Sequence, residues 1–478
     1  MRRATLAGLA AAAAMLTGCI DLAPRYHRPP EPTPATFPTG PAYAPPSASV
    51  QPVVGWRGFF ADAKLEAVID EALSNNRDLR AAVARIAVAR AQYQVQRAEL
   101  FPHLNAGAGA TIGQEPASVI AGQAVPGEGE VNIHQYSVNA GVSAYELDLF
   151  GKLRDLSRAA LEQYFSTRAA RDAAQITLVG QVAADYLTLA SDLSLLKIAE
   201  DTVTSGGKTV DLTRARHAAG VASGLDVAQA QTIVEQARFD VARLTTQVAQ
   251  DRNALDLLVG APVAEALQPA GLGSPVVVLS RLPAGLTSTV LLRRPDVLAA
   301  EHQLRAGDAN IGAARAAFFP SITLTGSGGL ISNSLSALFQ GAAATWTFAP
   351  TLTQPIFDAG ANRGNLALAR AQRDLAIDAY EGAVQTAFRE VADALAQRGT
   401  IDAELAAQRG LVAAADASLR LANARYAQGA DTFLNALIAQ RAYYAARQTL
   451  VTTEQIEATN LVTLYTALGG GLGSPTAA

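Results

Sequence analysis

The amino-acid sequence predicts a mainly helical protein with a β membrane part, built as an internal two-fold repeat. Three observations carry that prediction. Two long stretches, about residues 152–216 and 361–426, contain no proline; at about 1.5 Å per residue each would run on the order of 95 Å as one helix. Four shorter stretches alternate apolar with small polar residues, the two-residue period of a strand whose faces meet unlike surroundings. Finally, "ARHAAGVASGLDVAQAQ" (215–231) returns as "ARYAQGADTFLNALIAQ" (424–440), with seven of seventeen positions identical and no gap, among them Ala215/Ala424, Arg216/Arg425, Gly220/Gly429, Leu225/Leu434 and Gln231/Gln440.

The chain has 478 residues, enough for two or three ordinary domains. Its formal net charge of -4 gives no reason to expect a nucleic-acid partner. Half the residues are hydrophobic but only 6% are aromatic, and alanine makes up much of the apolar fraction. Such a composition favours extended helices with narrow seams over a thick globular core.

The chain opens with Arg2 and Arg3 and then an apolar run from Leu6 to Leu16. That run is roughly half of the ~20 residues a membrane-spanning helix needs, so residues 1–18 read as a signal peptide. No other stretch reaches spanning length, so any membrane crossing falls to strands. Cys19 is the only cysteine and cannot form a disulfide within the chain. It sits where the apolar run ends, in "LTGC" (16–19), which resembles a bacterial lipobox whose cysteine becomes lipidated and N-terminal. The alternative is an incidental cysteine in a discarded leader. Each buried CH2 of an acyl chain contributes ~0.8 kcal/mol, so a multi-chain anchor would be durable.

Residues 19–60 follow as a strap: Pro24 to Pro52 hold ten of the 22 prolines, which forbids helix and favours an extended run over a surface. The first repeat spans 61–260. A short helix at about Ala63 to Leu73 is broken by "SNNRD" (74–78), and a second runs to about Leu100. A β-hairpin occupies about 101–149. In 103–112, Leu104, Ala106, Ala108, Ala110 and Ile112 alternate with Asn105, Gly107, Gly109 and Thr111. In 136–144, Tyr136, Val138, Ala140 and Val142 alternate with Ser137, Asn139, Gly141 and Ser143, leaving a polar loop at about 113–133. Then comes the first long helix, where Val179, Val182, Tyr186, Leu189, Leu193 and Leu196 keep the 3,4 spacing of a coiled-coil seam. The repeated motif marks a helix-to-helix turn: Gly220 supplies the positive φ that ends one helix, and the next runs from about Leu225 to Leu258.

After an irregular connector (261–290), the second repeat (291–468) replays the order. "FFP" (318–320) echoes "LFP" (100–102) and opens a hairpin at about 319–357. There Ile322, Leu324, Gly326, Gly328 and Leu330 alternate with Thr323, Thr325, Ser327 and Gly329, and Trp346, Phe348, Pro350 and Leu352 with Thr345, Thr347, Ala349 and Thr351. A long helix, the turn at Gly429 and a helix at about Thr432 to Leu468 complete it, with 469–478 as a flexible tail.

Strands of about a dozen residues with unlike faces suit a membrane barrel, which needs ~9–11 tilted residues per crossing. Four strands cannot close a barrel with an interior, since closure takes about eight. An open edge in lipid would leave backbone groups unpaired at several kcal/mol each. The chain must therefore borrow strands from copies of itself.

With "LTGC", "LFP", "YELDLFGK" (145–152), "LLRRPDV" (291–297), "AARAAFFPSITLTGSGG" (313–329), "PIFDAG" (355–360) and "ARYAQG" in this order on a duplicated frame, the sequence resembles the outer membrane factor family, the TolC-like ducts, in their lipoprotein (NodT-type) branch. The resemblance covers nearly the whole chain. It implies a homotrimer with four strands per protomer, 12 in total, closing a transmembrane β-barrel, above a long α-helical barrel in the periplasm. It implies as partners outer-membrane lipid, a periplasmic adaptor and a proton-driven inner-membrane transporter, with the protein passing small toxic compounds outward. The two repeated turns become periplasmic tip turns, six around a pore. In such ducts acidic and apolar rings just after the glycine hold the tip nearly shut.

Carried over by position, the first turn offers Leu225 and Asp226, and the second Leu434, Asn435 and Ile438. The second turn departs from the pattern: it lacks acids at Asn435 and Ile438, leaving Asp226 and Asp431 close by. Repeated threefold, Leu434 and Ile438 would form a dewetting constriction in place of a charged ring; the alternative is that the leucines merely pack at the turn. Arg441, one helical turn on, is a candidate to pair with Asp226 or another acid and lock the closed state, or a solvated surface pair worth about 0–1 kcal/mol.

Nothing in the sequence points to an enzyme, a cofactor or a metal. The five histidines, at 27, 103, 134, 217 and 302, have no zinc-ligand spacing. "GSGGL" (326–330) lacks the lysine and helix of a phosphate loop. Glu146 and Asp148 read as polar contacts at the barrel base, and His217, in the place of Tyr426, as a packing residue. Three rivals remain. A trimeric autotransporter adhesin would carry its strands consecutively at the C-terminus, a structural coiled-coil periplasmic lipoprotein would leave the hairpins unused, and a type I protein-secretion duct shares the architecture.

Overall fold

The computed structural model describes residues 21–43, 55–116, 130–273 and 287–470. The signal peptide, Cys19, the middle of the strap, the tip of the first hairpin, part of the connector and the end of the tail lie outside the described residues. Among the described residues no helix is long and apolar enough to cross a membrane.

The duplication shows in the elements. After α1 (Trp56–Phe59) and α2 (Ala63–Asn75), the first copy runs α3 (Arg77–Ala98), β1 (Leu104–Pro116), β2 (Glu130–Leu147), α4 (Lys152–Ala218) and α5 (Gly224–Val259). The second runs α6 (Pro295–Ala316), β3 (Ser321–Ser332), β4 (Ala344–Thr353), α7 (Ala361–Ala427) and α8 (Phe433–Ala467). Corresponding helices match in length: α3 and α6 have 22 residues each, α4 and α7 have 67 each.

The chain forms two compact units. One holds the described parts of residues 1–29, 87–166 and 301–379. Its sheet has the order β1-β2-β3-β4, all antiparallel, so β1 and β4 carry open edges. The register places the apolar set of each strand beside that of the next: Leu104 opposite Val142, Val138 opposite Leu330, Leu324 opposite Pro350 and Ile322 opposite Leu352. Trp346 is 80% exposed, and Leu104, Ile112, Phe348 and Leu352 are exposed with it, so in one protomer this face covers no core. The opposite face, with Asn105, Thr111, Ser137, Asn139, Thr323, Thr325, Ser327 and Thr347, is mostly small and hydroxylated, and carries Glu146 opposite Thr323 at its base.

The first hairpin is longer than its alternation suggests. Pairing continues past the expected loop boundary to Pro116 opposite Glu130, because ladder hydrogen bonds join backbone groups and do not require an apolar face. A β-bulge between Val142 and Tyr145 inserts one residue, with Ala144 at φ 57°. The shift keeps Tyr145 and Leu147 on the face of Val142. At the strand ends, Lys152 pairs with Glu146 at 3.1 Å, Arg154 with Asp148 at 3.0 Å, and Phe150 stacks on Phe319. The helices of this unit meet through Ala159, Ala306 and Ala309, the narrow alanine seam that the composition favours.

The second unit holds the described parts of residues 30–86, 167–300 and 380–478. Its larger core gathers Trp56, Phe59, Leu65 and Ile69 of the short helices around Val179, Val182, Tyr186 and Leu189 of the α4 seam, with Leu193 and Leu196 half-buried beside them. Asp62 caps α2 by accepting from Lys64 N and also accepts from the Tyr186 hydroxyl. Between α2 and α3, Asn76 accepts from Leu79 N and donates to Leu258 O, which explains the break at "SNNRD". A second cluster packs Phe37 of the strap with Leu291, Val297, Tyr380, Val384 and Leu464. "LLRRPDV" belongs to it. Arg294, 7% exposed, donates to Ala467 O at 2.7 Å and pairs with Asp296 at 2.7 Å and Glu390 at 2.8 Å.

Candidate functional site

Both copies of the repeated motif form the same turn, and both lie in the second unit. α4 ends with Gly220 at φ 75°, where Val221 N donates to Arg216 O and Gly220 N to His217 O. α7 ends with Gly429 at φ 73°, where Ala430 N donates to Arg425 O and Gly429 N to Tyr426 O. These paired 6→1 and 5→2 bonds satisfy the last helix carbonyls and require the left-handed conformation that glycine adopts without penalty.

The next helices start differently. At α5, Ser223 and Asp226 form a capping box: Asp226 N donates to Ser223 Oγ at 3.1 Å and Ser223 N to Asp226 Oδ2 at 2.8 Å. At α8 the cap residue Thr432 makes no side-chain cap bond. Asp431 takes over, accepting from Thr432 N at 2.8 Å, Asn435 Nδ2 at 2.7 Å and Arg425 Nε at 3.2 Å. The Thr432 amide first, then Asn435 and Arg425, hold the Asp431 carboxyl below the usual carboxylate range. An aspartate at 435 would repel Asp431; the asparagine donates to it. Both acids near the turns are thus tied into helix caps.

A small core braces the turns from behind: Val210, Ala230, Ile233, Val234, Tyr426, Phe433, Ala436 and Leu437. Tyr426 meets Phe433 edge-on at 5.2 Å, and the Arg216 guanidinium lies 4.5 Å over the Tyr426 ring. Arg216 also donates to Tyr426 O and Ala427 O, so one turn holds the carbonyls of the other. Tyr444 OH donates to the buried Asp240 at 2.8 Å farther along the same helix pair.

With Phe433, Ala436 and Leu437 turned inward, Leu434 (49% exposed) and Ile438 (56%) remain uncovered in one protomer. The spacing of 434, 438 and 441 puts both apolar side chains and Arg441 on one stripe of α8. Leu225 on α5 is likewise exposed.

The expected partner of Arg441 changes. Asp226 is committed to Ser223, and Arg441 donates from Nη2 to Thr232 Oγ1 at 3.0 Å; among the described residues of one protomer no carboxylate lies within ion-pair distance of it. Thr232 and Arg441 are equivalent positions of the repeat, so the contact ties the two copies together. His217 Nδ1 donates to Ala222 O within its own turn and stays exposed. Sequence reasoning missed Arg216 and Tyr426. The signal available was the identical arginine in both copies: Arg216 bridges the turns while Arg425 serves the Asp431 cap.

The family model described as outer membrane efflux protein matches residues 68–261 and 286–470. A probable efflux pump outer membrane protein, TtgC of Pseudomonas putida, is 45% identical over 473 residues, covering 98% of this chain and 96% of its own. Outer membrane protein OprJ of Pseudomonas aeruginosa is 42% identical over 471 residues, covering 98% and 97%. Among solved structures, the open state of the Neisseria gonorrhoeae MtrE outer membrane channel aligns with a TM-score of 0.84 at 38% identity, covering 95% of this chain and 98% of that one.

Proposed function

Since the chain belongs to the outer membrane efflux protein family, we propose that it is the outer-membrane duct of a tripartite efflux pump, passing small toxic compounds to the exterior. It works as a trimeric channel with an adaptor and an inner-membrane transporter. The observation that carries this reading is the sheet: four strands with two open edges and an uncovered apolar face. Such a sheet is stable in lipid only when its edges are closed. Closing it with the strands of two further copies encloses a lumen lined mostly by the hydroxylated face, a passage with few specific contacts. Choice of substrate then falls to the transporter, which we take to be proton-driven.

The tip is the gate in this proposal. Three copies of Leu434 and Ile438, with Leu225 beside them, form an apolar constriction that empties of water when narrow. Asp226 and Asp431 shape the turns that carry it and supply no free ring of charge. Lipidation at Cys19, placing acyl chains in the outer membrane, belongs to the same reading.

The test is retention of several fluorescent toxic compounds in a strain deleted for this gene. Slower efflux, restored by the intact gene, is expected. Unchanged efflux of every compound, with the protein in the outer membrane of the parent, would move the assignment to protein secretion.

A further inference from the structure

Residues 21–28 lie in the first unit and are held there side chain by side chain. Arg158 of α4 bridges Asp21 at 2.9 Å and the buried Asp155 at 3.1 Å. Arg315 of α6 donates to Leu22 O at 2.9 Å. A Cβ at Gly312 would fall 2.8 Å from the Cα of Ala23 and 2.1 Å from the Asp155 carboxyl, so only glycine lets the strap lie this close to α6. Farther on, the strap meets Glu301, whose side chain is 3% exposed. Its carboxylate accepts from Tyr26 OH at 2.8 Å, from Arg28 through both oxygens, and from Arg305 at 2.7 Å, while the Arg305 guanidinium covers the Tyr26 ring at 4.6 Å. Burial pushes the Glu301 carboxyl up, but the donors from Tyr26, Arg28 and Arg305 outweigh it and hold it below the usual range.

The other repeat has no such seat. Aligning "LFP" (100–102) with "FFP" (318–320) puts Val83 in the place of Glu301 and Gln94 in that of Gly312. Val83 is half exposed. The duplicated frame has therefore diverged at the two positions that the strap uses.

We infer that Glu301 is the positioning residue that seats the N-terminal strap, and that this seat fixes residues 21–28 against α4 and α6.

The test uses the purified full-length trimer in detergent and follows trypsin cleavage after the exposed Arg25. Glu301→Val, the residue of the other repeat, is expected to raise the cleavage rate about tenfold or more, the equivalent of losing one charged hydrogen bond or more. Glu301→Gln, which keeps an acceptor oxygen, restores part of the protection. Tyr26→Phe added to Glu301→Val adds nothing, because both remove the same bond. Wild-type cleavage rates in an intact Glu301→Val trimer would overturn the seat. Should Glu301 variants fail to assemble, Tyr26→Phe and Arg28→Ala, both on the strap, carry the test: faster cleavage supports the seat and an unchanged rate overturns it.

Discussion

Asp155 illustrates how a single buried group ties stability to pH. Burial first, then the neighbouring charge of Asp21, raises its pKa to about 6 against the pull of Arg158. A carboxyl that is harder to ionise in the folded protein binds its proton more tightly there than in the unfolded chain. Its contribution is therefore present at low pH and is lost as pH rises from about 4 through about 6. Asp155→Asn should flatten this part of the stability profile and leave the detergent-solubilised trimer more resistant to heat at pH 7 than at present; a thermal series from pH 4 to 8 reads it. Arg294 is the opposite case, a buried cation with every partner in place. Arg294→Ala loses the bond to the Ala467 carbonyl and the pairs with Asp296 and Glu390, both about 40% exposed, and should cost about 1.5–3 kcal/mol. Arg294→Lys should recover little, since a lysine cannot reach Asp296, Glu390 and Ala467 O with one planar fork. Thermal unfolding of both variants beside the wild type checks the order.

At the scale of elements, the two turns are the positions where backbone geometry is most demanding. Gly429 has open space around its missing Cβ, so Gly429→Ala carries only the left-handed backbone cost, about 1–2 kcal/mol. Faster amide exchange confined to residues 426–433 is the expected result, and exchange spread along α7 and α8 would contradict it. The long helices were legible because a proline-free run with a 3,4 apolar seam has few alternatives, and the strands because one face is apolar and the other hydroxylated. The end of β2 was not legible. A bulge at Ala144 shifts the phase, so Tyr145 and Leu147 fall on the face that strict alternation denies them. The tip was half legible: glycine and leucine mark the turn in both copies. The Asn435 bond to Asp431, four residues back, is local, but the use of Arg216 as a brace on Tyr426 joins segments 210 residues apart in sequence, which no local pattern encodes.

For the whole molecule, two sets of the apolar side chains left open in one protomer bear on function. Leu104, Trp346, Phe348 and Leu352 stand on a sheet face of membrane-spanning length, where lipid is the natural solvent. Leu434 and Ile438 stand beside a turn whose acids are already engaged, and in the proposed trimer threefold repetition would turn them into a ring. The central claim is that this ring, and not a ring of carboxylates, keeps the duct narrow. Single-channel conductance of the purified trimer in planar bilayers, wild type against the Leu434→Ala/Ile438→Ala double variant, tests it most directly. The expected result is a low wild-type conductance with little preference for cations, and a severalfold rise in the double variant with that preference unchanged. A double variant that conducts like the wild type, or a wild type that strongly selects cations, would contradict it.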